Sequence, residues 1–217
     1  MKRTAFAVML MWAACLSAAE GQQAQQILDA GDTQGGLVVA VGWDSPQSLA
    51  ELRQNNSLVV QGLHTEPSKI AEARAYLTAE GLYGPITVSR LTGGRLPYID
   101  NLVNVLVIAD PEVHVADDEI DRVLAPLGTV VKATGGKIET TRKPWPGALD
   151  DWTHYLYDAS NHAVSGDTVV APPRGLQWTC GPEYARSHEH FGSVSAMVSA
   201  AGRVFYIIDE GPISSVF

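Results

Sequence analysis

The chain is short of cysteine, of basic residues and of long apolar runs, and each shortage excludes something. Only Ala5 to Leu16 is continuously apolar. A bilayer span needs about 20 such residues, so this run is too short, and no later segment is apolar enough to serve as an integral membrane segment. Lys2 and Arg3 precede it and the small residues Ser17, Ala18 and Ala19 follow it, which reads as a signal peptide over 1–19. The expected location is therefore periplasmic or extracellular. A lipoprotein alternative would anchor the chain through Cys15, but Trp12 stands where leucine is usual. Cleavage after Ala19 removes one of the two cysteines and leaves Cys180 alone, so no intrachain disulfide is expected despite an oxidising export route. Cys180 has no basic neighbour to activate it and reads as a small buried residue. Cations are few: 15 Lys and Arg against 24 Asp and Glu give −9, which becomes −11 when Lys2 and Arg3 are lost. That sign argues against nucleic acid and anionic membrane surfaces as partners. The 46% apolar content is too high for disorder.

What is present changes character near Trp145. Before it, apolar strands alternate with helical stretches. A short helix is expected from Gln22 to Leu28, ended by Gly31. Leu37–Val41, Leu58–Val60, Ile86–Val88, Val103–Ile108 and Thr129–Val131 read as buried strands of the parallel type. Ser45 followed by Pro46 is a helix start with Leu49 and Leu52 inward. Thr65 and Pro67 start another helix, with Ile70, Ala73 and Leu77 on one face and Gly81 at its end. Asp117 is the expected cap of a helix carrying Ile120, Val123, Leu124 and Leu127. The alternation implies an α/β fold, a Rossmann-like sheet of about five parallel strands with helices on both faces.

In order and local residues, Gly35 to Lys137 resembles the class I S-adenosylmethionine-dependent methyltransferases. The stretches that carry the resemblance are Val38-Val39-Ala40-Val41-Gly42, Val59-Val60-Gln61-Gly62-Leu63-His64, Arg95-Leu96-Pro97-Tyr98, Asn101 to Asp110, and Leu124-Ala125-Pro126-Leu127-Gly128-Thr129-Val130-Val131. The resemblance implies S-adenosylmethionine as cofactor and Gly42, Asp44, His64, Glu66 and Asp110 as its candidate binding positions. The chain also departs from the family. Ala40 stands where an acid is usual, and the glycine-rich loop is reduced to Gly42-Trp43-Asp44-Ser45. His64 replaces the acid that grips the ribose hydroxyls, and a neutral imidazole offers one acceptor where a carboxylate offers two oxygens; Glu66 is the nearest substitute. Asp110-Pro111-Glu112 follows the fourth strand, where family members place catalytic or substrate residues. An enzyme predicts an open cleft lined by Gly42, Asp44, His64 and Asp110. A scaffold predicts that Trp43 or the linker fills it.

Lys143-Pro144-Trp145-Pro146-Gly147 is a stiff, turn-prone boundary. The expected division is a methyltransferase-like domain over 20–142, a linker over 143–150 and a second module over 151–217. Asp150 to Tyr155, Pro172 to Trp178 and Ser195 to Gly211 resemble the N-terminal edge of a quinoprotein β-propeller with pyrroloquinoline-quinone-like repeats. Met197-Val198 and Val204 to Ile208 are β-rich runs, with Ala201-Gly202 as the tight turn between them. Propellers need about four to eight four-stranded blades, so this is an incomplete propeller segment, a β-hairpin, and truncation of a longer protein is expected. A quinone belongs here only if the missing blades bind it. His188 and His190, with His154 and His162 near in sequence, have no fixed metal-ligand spacing, and no metal is expected. Trp152 and Trp178 are expected to anchor the linker.

The expected role is a non-catalytic binding or scaffold one, with a protein or small-molecule partner at the cell envelope. The alternative is an enzyme, either an S-adenosylmethionine-dependent methyltransferase or the N-terminal part of a quinone-linked oxidoreductase.

Overall fold

A computed structural model describes residues 24–134, 137–169 and 196–206. The chain divides into two compact units at Pro144/Trp145.

In the first unit, β1 (Gly36–Val41), β2 (Leu58–His64), β3 (Ile86–Arg90), β4 (Val103–Ile108), β5 (Leu124–Thr134) and β6 (Lys137–Arg142) form one sheet in the order β3-β2-β1-β4-β5-β6. The first five run parallel and β6 is antiparallel to β5. This order, which reverses at β1, is that of a Rossmann-like sheet. The apolar runs of β1 and β4 feed both faces. Val38, Ala40, Val105 and Val107 enter one core cluster, and Val39, Val41, Leu106 and Ile108 enter the other. The first cluster is covered by α1, helical over 24–30, by α2 (Pro46–Glu51) and by α3 (Pro67–Ala79). The second is covered by α4 (Asp117–Val123) and by Leu91, Leu96 and Val115. Helices thus lie on both faces.

Three local expectations are corrected. The cap of α3 is Glu66, not Thr65, because Pro67 takes the first helical position and forces its predecessor to be extended (φ −87°, ψ 120°). The cap of α4 is Ala116, whose carbonyl already accepts from Glu119 and Ile120, so Asp117, Asp118 and Glu119 fill the first turn beside the positive helix end. That helix stops at Val123. Pro126 has no N–H to continue it. Leu124 begins β5, and Leu127 turns outward with φ +63° and 39% exposure. The connection over 91–102, between β3 and β4, contains no helix. β6 was not expected at all: Lys-Ile-Glu-Thr-Thr-Arg is a polar, exposed edge strand without an apolar face to announce it.

A charged clamp fastens the helix-free connection. The Arg122 guanidinium donates to both Glu119 carboxylate oxygens (2.8 and 2.7 Å), to Asp100 (2.7 Å), and to the carbonyls of Tyr98 (2.8 Å) and Leu96 (3.2 Å). Glu119 also accepts from the Leu96 N–H at 2.7 Å. Tyr98 then reaches over the sheet and donates to Gln61 at 2.9 Å. Elsewhere, Arg74 donates to the Val88 carbonyl of edge strand β3 at 3.0 Å, which occupies an edge acceptor.

In the second unit, β7 (Met197–Ala200) and β8 (Arg203–Tyr206) pair antiparallel through a turn in which Ala201 (φ +50°) and Gly202 (φ +74°) are both left-handed, the geometry that suits a two-residue hairpin. Trp152 is tied to β7 by two bonds, its N–H to Ser199 Oγ (3.0 Å) and its carbonyl from the Ser199 N–H (2.7 Å). Its ring meets Tyr157 edge-on at 5.6 Å, and Tyr157 stacks on His162 at 5.1 Å. Asp150 accepts from Tyr157 and from the N–H groups of Gly166 and Asp151, which holds its carboxyl below the usual range. The expectations on Trp178, Cys180, His188 and His190 lie outside the described residues.

The clamp generates a prediction. Arg122→Met should cost about 2 kcal/mol, because it strips charge-assisted bonds from a part-buried site, read as a lower urea midpoint. The Arg122 bond holds Glu119 below 4.5. A depressed acid stabilises the fold above its unfolded value and loses that contribution as the pH falls through the lower folded value. Wild type should therefore lose more stability than Glu119→Gln on acidification below 4.5.

Candidate functional site

In open α/β sheets the ligand crevice lies outside the carboxyl ends of the strands where the order reverses, here at β1. β1 ends at Val41, and the chain turns at Gly42 with φ +70°. The Gly42 N–H donates to Leu63 at 3.0 Å, and a side chain at Gly42 would collide with Asp110 Cβ, so glycine is what lets the end of β1 lie against the end of β4. Asp110 accepts from the Glu112 N–H at 2.8 Å and closes its own turn.

Trp43 does not project from this turn. It is 2% exposed and belongs to the core cluster under α2 and α3. Its indole lies on Gly62, where a Cβ would stand 2.7 Å from Trp43 Nε1, 2.8 Å from Leu49 Cδ1 and 3.0 Å from Val88 Cγ1. Its ring meets His64 edge-on, with centroids 5.1 Å apart and planes at 62°. Trp43 Nε1 is buried and has no hydrogen-bond partner among the described residues. Apolar packing therefore holds the ring there against an unpaired donor that costs roughly 1–3 kcal/mol.

His64, at the end of β2, is 7% exposed, and its Nδ1 accepts the Glu66 N–H at 3.0 Å. The single acceptor of the neutral ring is thereby used within the chain. Glu66 is exposed at the start of α3, and its side chain makes no capping bond. Asp44 is exposed and its carbonyl accepts from Lys69 Nζ at 2.9 Å, which ties the loop to α3. Of the five candidate positions, Gly42 and Asp110 are brought into contact, His64 and Glu66 are bonded to each other, and Asp44 stands apart on the loop.

Beside this packed region is a small cavity of about 110 Å³. Ala24 and Ile27 of α1, Ala40 of β1, Val107 of β4 and Leu52 form its apolar wall, with Trp43 alongside and Asp44, Ser45 and Ser48 as the polar part. Asp44 alone of the five candidates lines it. Ligand pockets for drug-sized molecules run to roughly 300–1,000 Å³, so the cavity is too small for a nucleoside-sized cofactor. Filled space at Gly62, a spent acceptor on His64 and this volume together do not fit S-adenosylmethionine.

Two residues the sequence reading passed over shape the site. Lys69 carried no signal. Gly62 did: glycine inside a buried strand marks a place another group approaches closely.

No protein-family model matches the sequence, and a comparison with curated proteins finds no match. Among solved structures, the α/β unit is similar to an S-adenosyl-L-methionine-dependent methyltransferase from Methanococcus maripaludis (TM-score 0.49, 19% identity, 59% of this chain and 62% of that one). It is also similar to the [4+2]-cyclase SpnF (0.46, 20%, 52% and 43%) and to the geranyl diphosphate C-methyltransferase of Streptomyces coelicolor A3(2), solved with Mg²⁺, geranyl diphosphate and S-adenosyl-L-homocysteine (0.47, 15%, 52% and 44%). The chain spans less than two thirds of each of these proteins.

Gly62→Ala should destabilise the unit by about 1–3 kcal/mol through overpacking against the indole. The check is the urea midpoint, together with a change in Trp43 fluorescence against a Trp43→Phe control.

Proposed function

We propose that this chain is an exported, non-catalytic binding protein of the cell envelope. Its α/β unit keeps a methyltransferase-like sheet but has closed the cofactor crevice with its own side chains. One observation carries this reading: Trp43 lies on Gly62 and against His64, in the space beside the end of β2. The second unit supplies the start of a β-propeller, a reading supported by the β7–β8 hairpin and its tie to Trp152. A quinone would concern blades beyond this segment.

The second reading, S-adenosylmethionine-dependent methyl transfer, is favoured by the strand order. Calorimetric titration of S-adenosylmethionine and S-adenosylhomocysteine into the full chain separates the two. No heat is expected from wild type, nor from His64→Asp, because Trp43 still fills the space. The Trp43→Ala/His64→Asp double variant should regain weak binding. Micromolar binding by wild type would overturn the proposal and restore the enzyme reading.

A further inference from the structure

β6 ends the sheet, with β5 as its one neighbour among the described residues. Its register with β5 runs unbroken from Lys137 to Arg142. Lys143 shows which way the backbone groups point: its N–H donates to Gly128 and its carbonyl accepts from Leu127. In an antiparallel ladder alternate residues turn the same way, so Thr141, Glu139 and Lys137 also face β5. The N–H and C=O groups of Ile138, Thr140 and Arg142 therefore point away from the sheet. Thr140 and Arg142 are exposed and Ile138 is half-buried. Such an edge pairs with another strand unless proline, a bulge, a charged side chain or a covering group blunts it. The far edge is blunted in this way, since Arg74 occupies the Val88 carbonyl of β3 at 3.0 Å. Along β6 no proline or bulge interrupts the strand, and the Lys137 charge is neutralised by Glu139 at 2.6 Å.

The outward groups are complementary to a second copy of themselves. Two β6 strands placed antiparallel about a two-fold axis at Thr140 set Ile138 opposite the partner's Arg142 and Thr140 opposite the partner's Thr140. Arg142 then meets the partner's Ile138, so all three outward residues exchange backbone bonds. On the other face Glu139 meets the partner's Thr141. Lys137 meets the partner's Lys143, but the Lys143 ammonium is turned inward. Its side chain is 14% exposed and donates to Asn101 Oδ1 at 2.9 Å and to the carbonyls of Asp121 and Leu124. The neighbouring registers are worse. An axis at Glu139 sets two carboxylates directly opposite, which is destabilising. An axis at Thr141 sets Ile138 against the partner's Pro144, which has no N–H to donate. We propose that β6 is a self-pairing edge: two copies of the chain join through it in the register centred on Thr140, and their six-stranded sheets become one continuous sheet. A contact of this symmetry closes on itself and stops at a dimer. A strand of six residues is about 20 Å long, so the contact is smaller than the roughly 1,200–2,000 Å² of a stable interface. The dimer is therefore a reversible one, formed at micromolar to millimolar concentration.

The test is sedimentation equilibrium of the full chain over a concentration series, at about 0.15 M salt so that the net negative charge is screened. Wild type should show a monomer–dimer equilibrium. Thr140→Lys places two ammonium groups opposite one another at the axis and should weaken the dimer about tenfold or more. Thr140→Asp should do the same with two carboxylates. An equal mixture of the two variants should recover the dimer as a heterodimer, because position 140 faces its own copy in this register. Thr140 is exposed, so both variants keep the fold, and the urea midpoint checks that they do. Wild type that stays monomeric at millimolar concentration would overturn the proposal. So would a dimer that both charged variants leave intact, or a mixture that associates no better than either variant alone. The crevice at the end of β1 takes no part in this contact, so these experiments fail independently of the titrations with S-adenosylmethionine.

Discussion

The first unit depends on a constraint at β1. Val38, Val39, Ala40 and Val41 are all 2% exposed or less, hydrogen-bonded to β2 on one side and β4 on the other, and covered on both faces. A strand enclosed on four sides can hold only small or branched apolar residues. It also cannot move without disturbing both core clusters. The turn that leaves it must therefore solve a packing problem at once. Gly42 lets the chain pass Asp110, and the next residue, a tryptophan, is accommodated only because β2 carries glycine at position 62. The loop that follows the indole is tied to α3 by Lys69 on the Asp44 carbonyl.

The sheet was readable because each central strand is a continuous apolar run bounded by turn residues. Period and length gave β1 to β5 their places in the chain. Capping was less readable. Ser45 before Pro46 worked as a cap, with Ser45 Oγ accepting the Ser48 N–H. Thr65 and Asp117 failed as caps for one reason: a helix start is fixed by where helical dihedrals and carbonyl acceptance begin, and a side chain of capping type one residue away does not move it. β6 was hidden because a polar edge strand carries no periodic apolar signal.

The site was half readable. The single acceptor that His64 offers and the bulk of Trp43 were visible in the residues. Their joint effect was not, since it depends on a face-to-face placement across two strands that sequence spacing does not encode. Trp43 and Gly62 are far apart in the chain, and only the parallel register of β1 and β2 brings them together. The cavity was hidden for the same reason, because its walls come from α1, β1, the α2 loop and β4.

The clamp around Arg122 has a thermal consequence. Most of this unit is held by apolar burial, whose contribution weakens on cooling and carries a large heat-capacity change. The connection over 91–102 is held instead by a guanidinium shared among carboxylates and carbonyls. The desolvation cost of such ionic contacts falls as temperature rises. The two kinds of fastening therefore age differently along a temperature ramp. Ions in solution compete for the clamp and leave the valine-rich centre almost untouched, so ionic strength can loosen this corner while the sheet beneath it stays whole.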